Sequence, residues 1–138
     1  MKIVINDCYG GFGLSNDAIL RYAELKGVTL YPEGGKYSAT YWLVPPEERT
    51  GMLYNDAFYE APLNARQESN RRYGELTVDF TDIARDDVYL VQVVQELKEA
   101  SDGNAASLKI VEIPDGVNWE IAEYDGIETI EEVHRSWR

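Results

Sequence analysis

The residues most able to do chemistry lie close to the start of the chain, in Asn6-Asp7-Cys8-Tyr9-Gly10-Gly11-Phe12-Gly13-Leu14-Ser15. This glycine-rich stretch follows the β-branched run Lys2-Ile3-Val4-Ile5 and precedes a helical pattern from Ala18 to Gly27, so it turns the chain from strand to helix. Gly10, Gly11 and Gly13 can take positive φ and let a ligand reach the backbone, while free amides at a helix start favour an anion. One reading is therefore a phosphate or carboxylate held on these amides, with Tyr9 or Phe12 stacked on a ring. The other is a tight turn in which Tyr9 and Phe12 pack inward. The spacing excludes two known phosphate loops: no Gly-Lys-Ser/Thr follows, and Gly10-Gly11-x-Gly13 lacks the final glycine of a dinucleotide fingerprint. No cofactor is implied.

Cys8 beside this turn is a nucleophile candidate if a helix N-terminus stabilises its thiolate, and otherwise a buried structural thiol. Its one conceivable histidine partner, His134, is far away in sequence and reads better as a core or capping residue of a last helix. With one Cys and one His a structural zinc site is not expected. The carboxylates Asp79, Asp82, Asp86 and Asp87 lack calcium-loop spacing, and no metal site is assigned. Arg49, Arg66, Arg71, Arg72 and Arg85 are either solvated partners of surface carboxylates or, converging beside Tyr54, Phe58, Tyr59 or Tyr73, a source of bidentate phosphate contacts and stacking faces. Ile110 to His134, by contrast, carries eight carboxylates and no Lys or Arg. That tract either keeps a small protein soluble or mimics the phosphates of nucleic acid.

Composition narrows the classes further. With thirteen basic against twenty-five acidic residues the net charge is −12, which disfavours nonspecific attachment to nucleic acid or an anionic membrane. Any bound phosphate must be held by local contacts. Ten tyrosines suit half-wet cores and binding surfaces equally. One cysteine excludes an intrachain disulfide and suits a reducing cytoplasm, and neither a membrane-length apolar run nor a signal or transit peptide is recognised.

The elements that must position these residues follow from periodicity. Ser15 or Asn16 caps a helix whose Ile19, Leu20, Tyr22, Ala23 and Leu25 face a core and which Gly27 ends. Val28–Tyr31 extends briefly, Pro32–Lys36 turns, and Tyr37–Val44 is dense in strand-forming residues. From Glu47 to Gly74 the prolines, asparagines and glycines interrupt any period, predicting a short helix near Pro46–Asp56 and then a long irregular segment. Glu75–Phe80 alternates as a half-buried strand. Asp86 or Asp87 caps a helix from Val88 to Ala100 with Leu90, Val91, Val94 and Leu97 as its core stripe. Leu108–Ile113 and Val117–Tyr124 read as an antiparallel hairpin, and Asp125 with Glu128 has the spacing of a capped C-terminal helix carrying Ile127, Ile130, Val133, His134 and Trp137. The expected fold is one α+β domain over residues 1–138: about five strands in a mixed or antiparallel sheet, packed against two or three helices, with an irregular segment at about 47–74.

Three stretches carry a family resemblance. The opening Lys2-Ile3-Val4-Ile5-Asn6-Asp7-Cys8-Tyr9-Gly10-Gly11-Phe12-Gly13-Leu14-Ser15, the run Arg85-Asp86-Asp87 before Leu90-Val91, and Leu108-Lys109-Ile110-Val111-Glu112-Ile113-Pro114 with Trp119-Glu120-Ile121 and Glu123-Tyr124-Asp125-Gly126 resemble small acidic proteins of tailed bacteriophages and prophages. The resemblance covers both ends and the main helix but not Gly51–Gly74. It implies an accessory protein made in the cytoplasm of an infected bacterium, of the sort that neutralises host defence.

The functional expectation is non-enzymatic capture of a small nucleotide-derived ligand, a host immune signal, on Tyr9, Gly10, Gly11, Phe12, Gly13, Arg71, Arg72 and Arg85. The alternative is an acidic inhibitor that binds a host defence protein directly. A small hydrolase acting on a nucleotide ranks third, since no acid–base or nucleophile set is complete. Assembly into a homo-oligomer is left open.

Overall fold

A computed structural model describes residues 1–133. The first strand, β1 (Lys2–Asn6), buries Ile3, Val4 and Ile5. Helix α1 (Asn16–Leu25) starts at Ser15, whose hydroxyl accepts from the Ala18 amide, and stops at Gly27, where φ is 78°. The Val28 and Gly27 amides return to the carbonyls of Ala23 and Glu24, so the glycine terminates the helix by the paired bonds expected of a left-handed end residue. Strands β2 (Tyr31–Gly34) and β3 (Ala39–Trp42) form a hairpin, which β4 (Thr77–Val78) joins at β3. Helices α2 (Asn55–Glu60) and α3 (Leu63–Leu76) lie between β3 and β4. Helix α4 (Val88–Leu97) is capped by Asp87, which accepts from the amides of Tyr89 and Leu90. Strands β5 (Leu108–Glu112), β6 (Trp119–Tyr124) and β7 (Ile127–Glu132) complete an α+β fold with, among the described residues, four α-helices and seven strands.

The core sits where α1 and α4 pack together over β1 and β5. Val4, Ala18, Tyr22, Leu90, Val91, Val93 and Val94 are its buried members, and Leu97 packs partly buried against them. The stripe expected on the main helix is thus the buried one. Phe80 joins this cluster to a second one around Ala23, Leu30 and Tyr41, meeting the rings of Tyr22 and Tyr41 edge-on at 5.8 and 6.2 Å.

Several expectations change. The strands form three small antiparallel sheets, β1-β5, β2-β3-β4 and β6-β7, instead of one sheet of five. β5 pairs with β1, placing Val4 opposite Ile110, while β6 pairs with β7; the hairpin expected between Leu108–Ile113 and Val117–Tyr124 does not form. Pro114 to Asn118 instead carries the chain from one sheet to another. The C-terminal helix is replaced through Glu132 by β7. Asp125 and Gly126 have φ of 52° and 91° and connect paired Tyr124 and Ile127, the geometry of a two-residue hairpin turn whose signature is Asp-Gly. The cap-like Asp125 to Glu128 spacing therefore belongs to a turn, and Ile127, Thr129 and Ile130 suit a strand. His134 and Trp137 lie outside the described residues.

The segment expected to be irregular holds α2 and most of α3. Its apolar period is weak because α3 is mostly polar, but Ala, Gln, Glu and Arg are good helix formers. Arg71 bridges Glu68 and Glu75, and Arg72 pairs with Glu75, all at helical spacing. Tertiary contacts fix the helix: Ser69 accepts from the Leu53 amide, Tyr73 meets Trp42 edge-on, and Leu76 is buried. The short helix near Pro46–Asp56 reduces to one 3₁₀ turn, Pro46–Glu48. Because α3 runs through Leu76, the strand expected over Glu75–Phe80 shrinks to Thr77–Val78, ending where Asp79 accepts from the Thr81 amide. The Tyr37–Val44 strand likewise shortens to Ala39–Trp42, since Gly35–Ser38 form the hairpin tip and the expected Pro32–Lys36 turn falls largely within β2. Helix α4 stops at Leu97, where Lys98 takes φ of 52° and a 3₁₀ turn runs to Ser101.

Candidate functional site

Asn6 organises the glycine turn from below. Its side chain is fully buried and donates to the carbonyls of Cys8 and Gly126, each at 2.8 Å, while its Oδ1 accepts from the Ser107 amide and the Cys8 thiol. The Asn6 amide donates to Glu128 Oε1 at 2.8 Å. A buried amide group is stable only when so satisfied. The single Cys8 S–H is shared between Asn6 Oδ1, at 3.5 Å, and the Ala105 carbonyl, at 3.1 Å, so it faces the structure's own backbone.

The glycines bring three segments of backbone together. Gly10 and Gly11 have φ of 125° and 119°. A Cβ placed on Gly126 would stand 2.5 Å from both of their nitrogens, and one on Gly10 would stand 2.5 Å from the Ala105 carbonyl oxygen. Gly103 approaches Gly13 as closely, and its amide donates to the Gly13 carbonyl at 2.9 Å. The turn thus seats the tip of the β6–β7 hairpin and the loop before β5. Of the turn's three glycines, Gly11 has nothing within 4 Å of its Cβ direction, and Tyr9 is exposed beside it.

Arg85 closes this assembly from the other side. Its guanidinium donates to both Glu128 oxygens, at 2.6 and 2.9 Å, and its central carbon lies 3.5 Å from the Phe12 ring centroid. Burial pushes the Glu128 carboxyl up, but the Arg85 fork and the Asn6 N–H outweigh it and hold the group below the usual carboxylate range. Arg71 and Arg72 are elsewhere, on α3; besides the Glu75 pair, Arg72 donates to the Thr50 carbonyl.

Phe12 and Gly13 do reach a cavity. It is a cleft of about 770 Å³ between the end of the glycine turn, the β2–β3 hairpin tip and the junction of α3 with β4, within the size range of small-molecule sites. It is lined by five aromatic residues, Phe12, Tyr37, Tyr41, Tyr73 and Phe80, and Asp79 is the one charged residue lining it among the described residues. The hairpin tip is anchored over it: Asn16 donates to the Gly35 carbonyl at 2.7 Å and accepts from the Tyr41 hydroxyl. Lys36, at the tip, holds its ammonium 5.4 Å from the Tyr37 ring centroid.

Asp79 and Phe80 also line a second cavity of about 290 Å³, with Tyr22, Lys26, Asp82 and Asp87. There Lys26 donates to the Tyr22 hydroxyl, which donates to Asp87 at 2.8 Å. Burial and the Asp87 bond together push the Tyr22 phenol up.

Of the site expected from sequence, the structure brings Phe12 and Gly13 to the cleft, ties Arg85 to Glu128, and leaves Arg71 and Arg72 in helix-surface pairs. Sequence reasoning missed Tyr37, Tyr41, Asp79 and Phe80 as neighbours; the excess of tyrosine was the one signal. Of the aromatic residues expected to offer stacking faces, Tyr73 lines the cleft, whereas Tyr54 and Tyr59 stand exposed near α2. Among the described residues no three His, Cys, Asp or Glu side chains converge as a metal site, and no helix is long and apolar enough to cross a membrane. No protein-family model, curated protein or solved structure matches the chain.

Proposed function

We propose that the protein acts by capture, holding a small nucleotide-derived ligand by its ring in the aromatic cleft. The cleft itself carries this reading: about 770 Å³ walled by five aromatic side chains, where stacking on a base is worth about 1–3 kcal/mol per ring. The Cys8 thiol is engaged away from the cleft, which supports binding over nucleophilic chemistry. The expected arginine contacts are occupied by Glu128, Glu68 and Glu75, so the aromatic walls, not an arginine fork, are what hold the ligand in this reading. The resemblance to small acidic phage and prophage proteins gives such capture a use, removal of a host immune signal in the infected cell. Native mass spectrometry of protein purified from cells, before and after denaturation, tests it: a released small molecule is the expected result, and a co-purified polypeptide with no small molecule sinks it.

The second reading, an acidic inhibitor of a host protein, has its own observation. In the β6–β7 register Glu120 stands directly opposite Glu131, and both are exposed. Like charges paired across strands are destabilising, and a basic partner surface would relieve them. Glu123, opposite Glu128, lies on the other face, so the carboxylates do not form one continuous surface.

A further inference from the structure

Resting on the capture reading, we propose that the cleft selects its ring by edge chemistry: it takes a 2-amino-6-oxopurine, the base of guanine, with the Asp79 carboxylate as the acceptor. Five rings confer stacking without preference, since every base has a π-face. Discrimination must come from the polar groups, and among the described residues the lining has one charged residue, Asp79, beside the neutral Ser38, Thr40, Thr77 and Thr81. Its Oδ1 accepts from the Thr81 amide at 3.1 Å, which fixes the carboxylate at the turn after β4. Among the described residues Oδ2 has no protein donor, and a carboxylate has about four acceptor sites in all.

Asp79 is exposed and lines both cavities, and an acceptor-only negative group beside an aromatic cleft repels phosphate and turns the charged end of a nucleotide away. It rewards a ring edge with adjacent parallel N–H donors, the fork that a carboxylate binds in bidentate fashion. Guanine presents N1–H beside its 2-amino group. Adenine and cytosine each place a ring-nitrogen lone pair beside their amino group, which would face the carboxylate. Sites built to pair with a donor reject analogues that lack it far more strongly than apolar pockets reject a change of size.

Calorimetry of the full chain with guanosine, inosine, adenosine and cytidine tests the assignment. Guanosine should bind at least tenfold tighter than inosine, which lacks only the 2-amino group, and tighter than the other two by as much. Asp79→Asn keeps an oxygen for the Thr81 amide but replaces the second acceptor with a donor; it should melt at the wild-type temperature and lose the guanosine preference. Equal binding of guanosine and inosine, or a preference that survives Asp79→Asn, overturns the edge assignment and leaves capture standing. No heat with any of the four overturns both.

Discussion

Arg85 and Glu128, 43 residues apart in the chain, form a two-pronged ion pair that fastens the β6–β7 hairpin to the core side of the glycine turn. Glu128 also accepts from the Asn6 amide, and Arg85 lies over Phe12. A two-stranded hairpin is marginal by itself, so this pair and the Asn6 bonds give it a fixed seat.

Removing one partner should be costly, because the other is left charged and enclosed; Glu128 side-chain exposure is 7% and that of Arg85 is 21%. Arg85→Ala or Glu128→Gln should each lower stability by about 3–5 kcal/mol in urea unfolding. The double change Arg85→Met with Glu128→Leu should recover most of that loss. Single variants within 0.5 kcal/mol of wild type would contradict the proposed role.

The same pair predicts a pH dependence. The folded Glu128 carboxyl titrates below its ordinary value near 4.5, so in that window the unfolded chain binds more protons than the folded one. Its stabilisation is present above about pH 4.5 and is lost as pH falls through the lower folded value. Urea midpoints measured from pH 7 to pH 3 should therefore fall less steeply in Glu128→Gln than in wild type, and identical slopes would contradict the assignment.

Val94 is 5% exposed at the centre of the α4 stripe. Val94→Asp should unfold the protein, since an unpaired buried charge costs several kcal/mol against a total of about 5–15 kcal/mol. A folded variant with an unchanged melting temperature would refute the packing.

Gly116 and Gly126 both have positive φ, 79° and 91°, but only Gly126 has backbone against its missing side chain. Gly116→Ala should cost about 1 kcal/mol from conformation alone. Gly126→Ala should cost at least twice as much and loosen the hairpin, seen as faster amide exchange at Gly10 and at the Asn6 backbone. Equal melting temperatures for the two variants would show that the close approach carries no energy.

Tyr73→Ala should weaken nucleoside binding about tenfold or more by removing one stacking wall. Joint replacement of Glu120, Glu123 and Glu131 by glutamine should leave it unchanged. The opposite pattern, read by calorimetry, would favour the acidic-inhibitor reading.

Local chemistry wrote the first strand, both main helices, their N-caps and the end of α1 into the sequence: Ile3-Val4-Ile5 can only be a buried run, and Ser15, Gly27 and Asp87 act within a few residues of the bonds they make. The Asp125-Gly126 turn was equally local, yet its spacing to Glu128 imitated a helix cap, and choosing between them required knowing that Glu128 is held by Arg85 and Asn6. Polar α3 hid because its stability depends on Trp42, Leu53 and its own ion pairs, not on a strong apolar period. The glycine turn was legible as a place of close approach, but only the tertiary structure decided what approaches: Gly126, Ala105 and Gly103, from segments about 90 to 116 residues away. The cleft was decided the same way. Phe12, Tyr37, Tyr73 and Asp79 come from four separate elements or turns, and no spacing along a chain encodes which of ten tyrosines will face one another once three small sheets have packed.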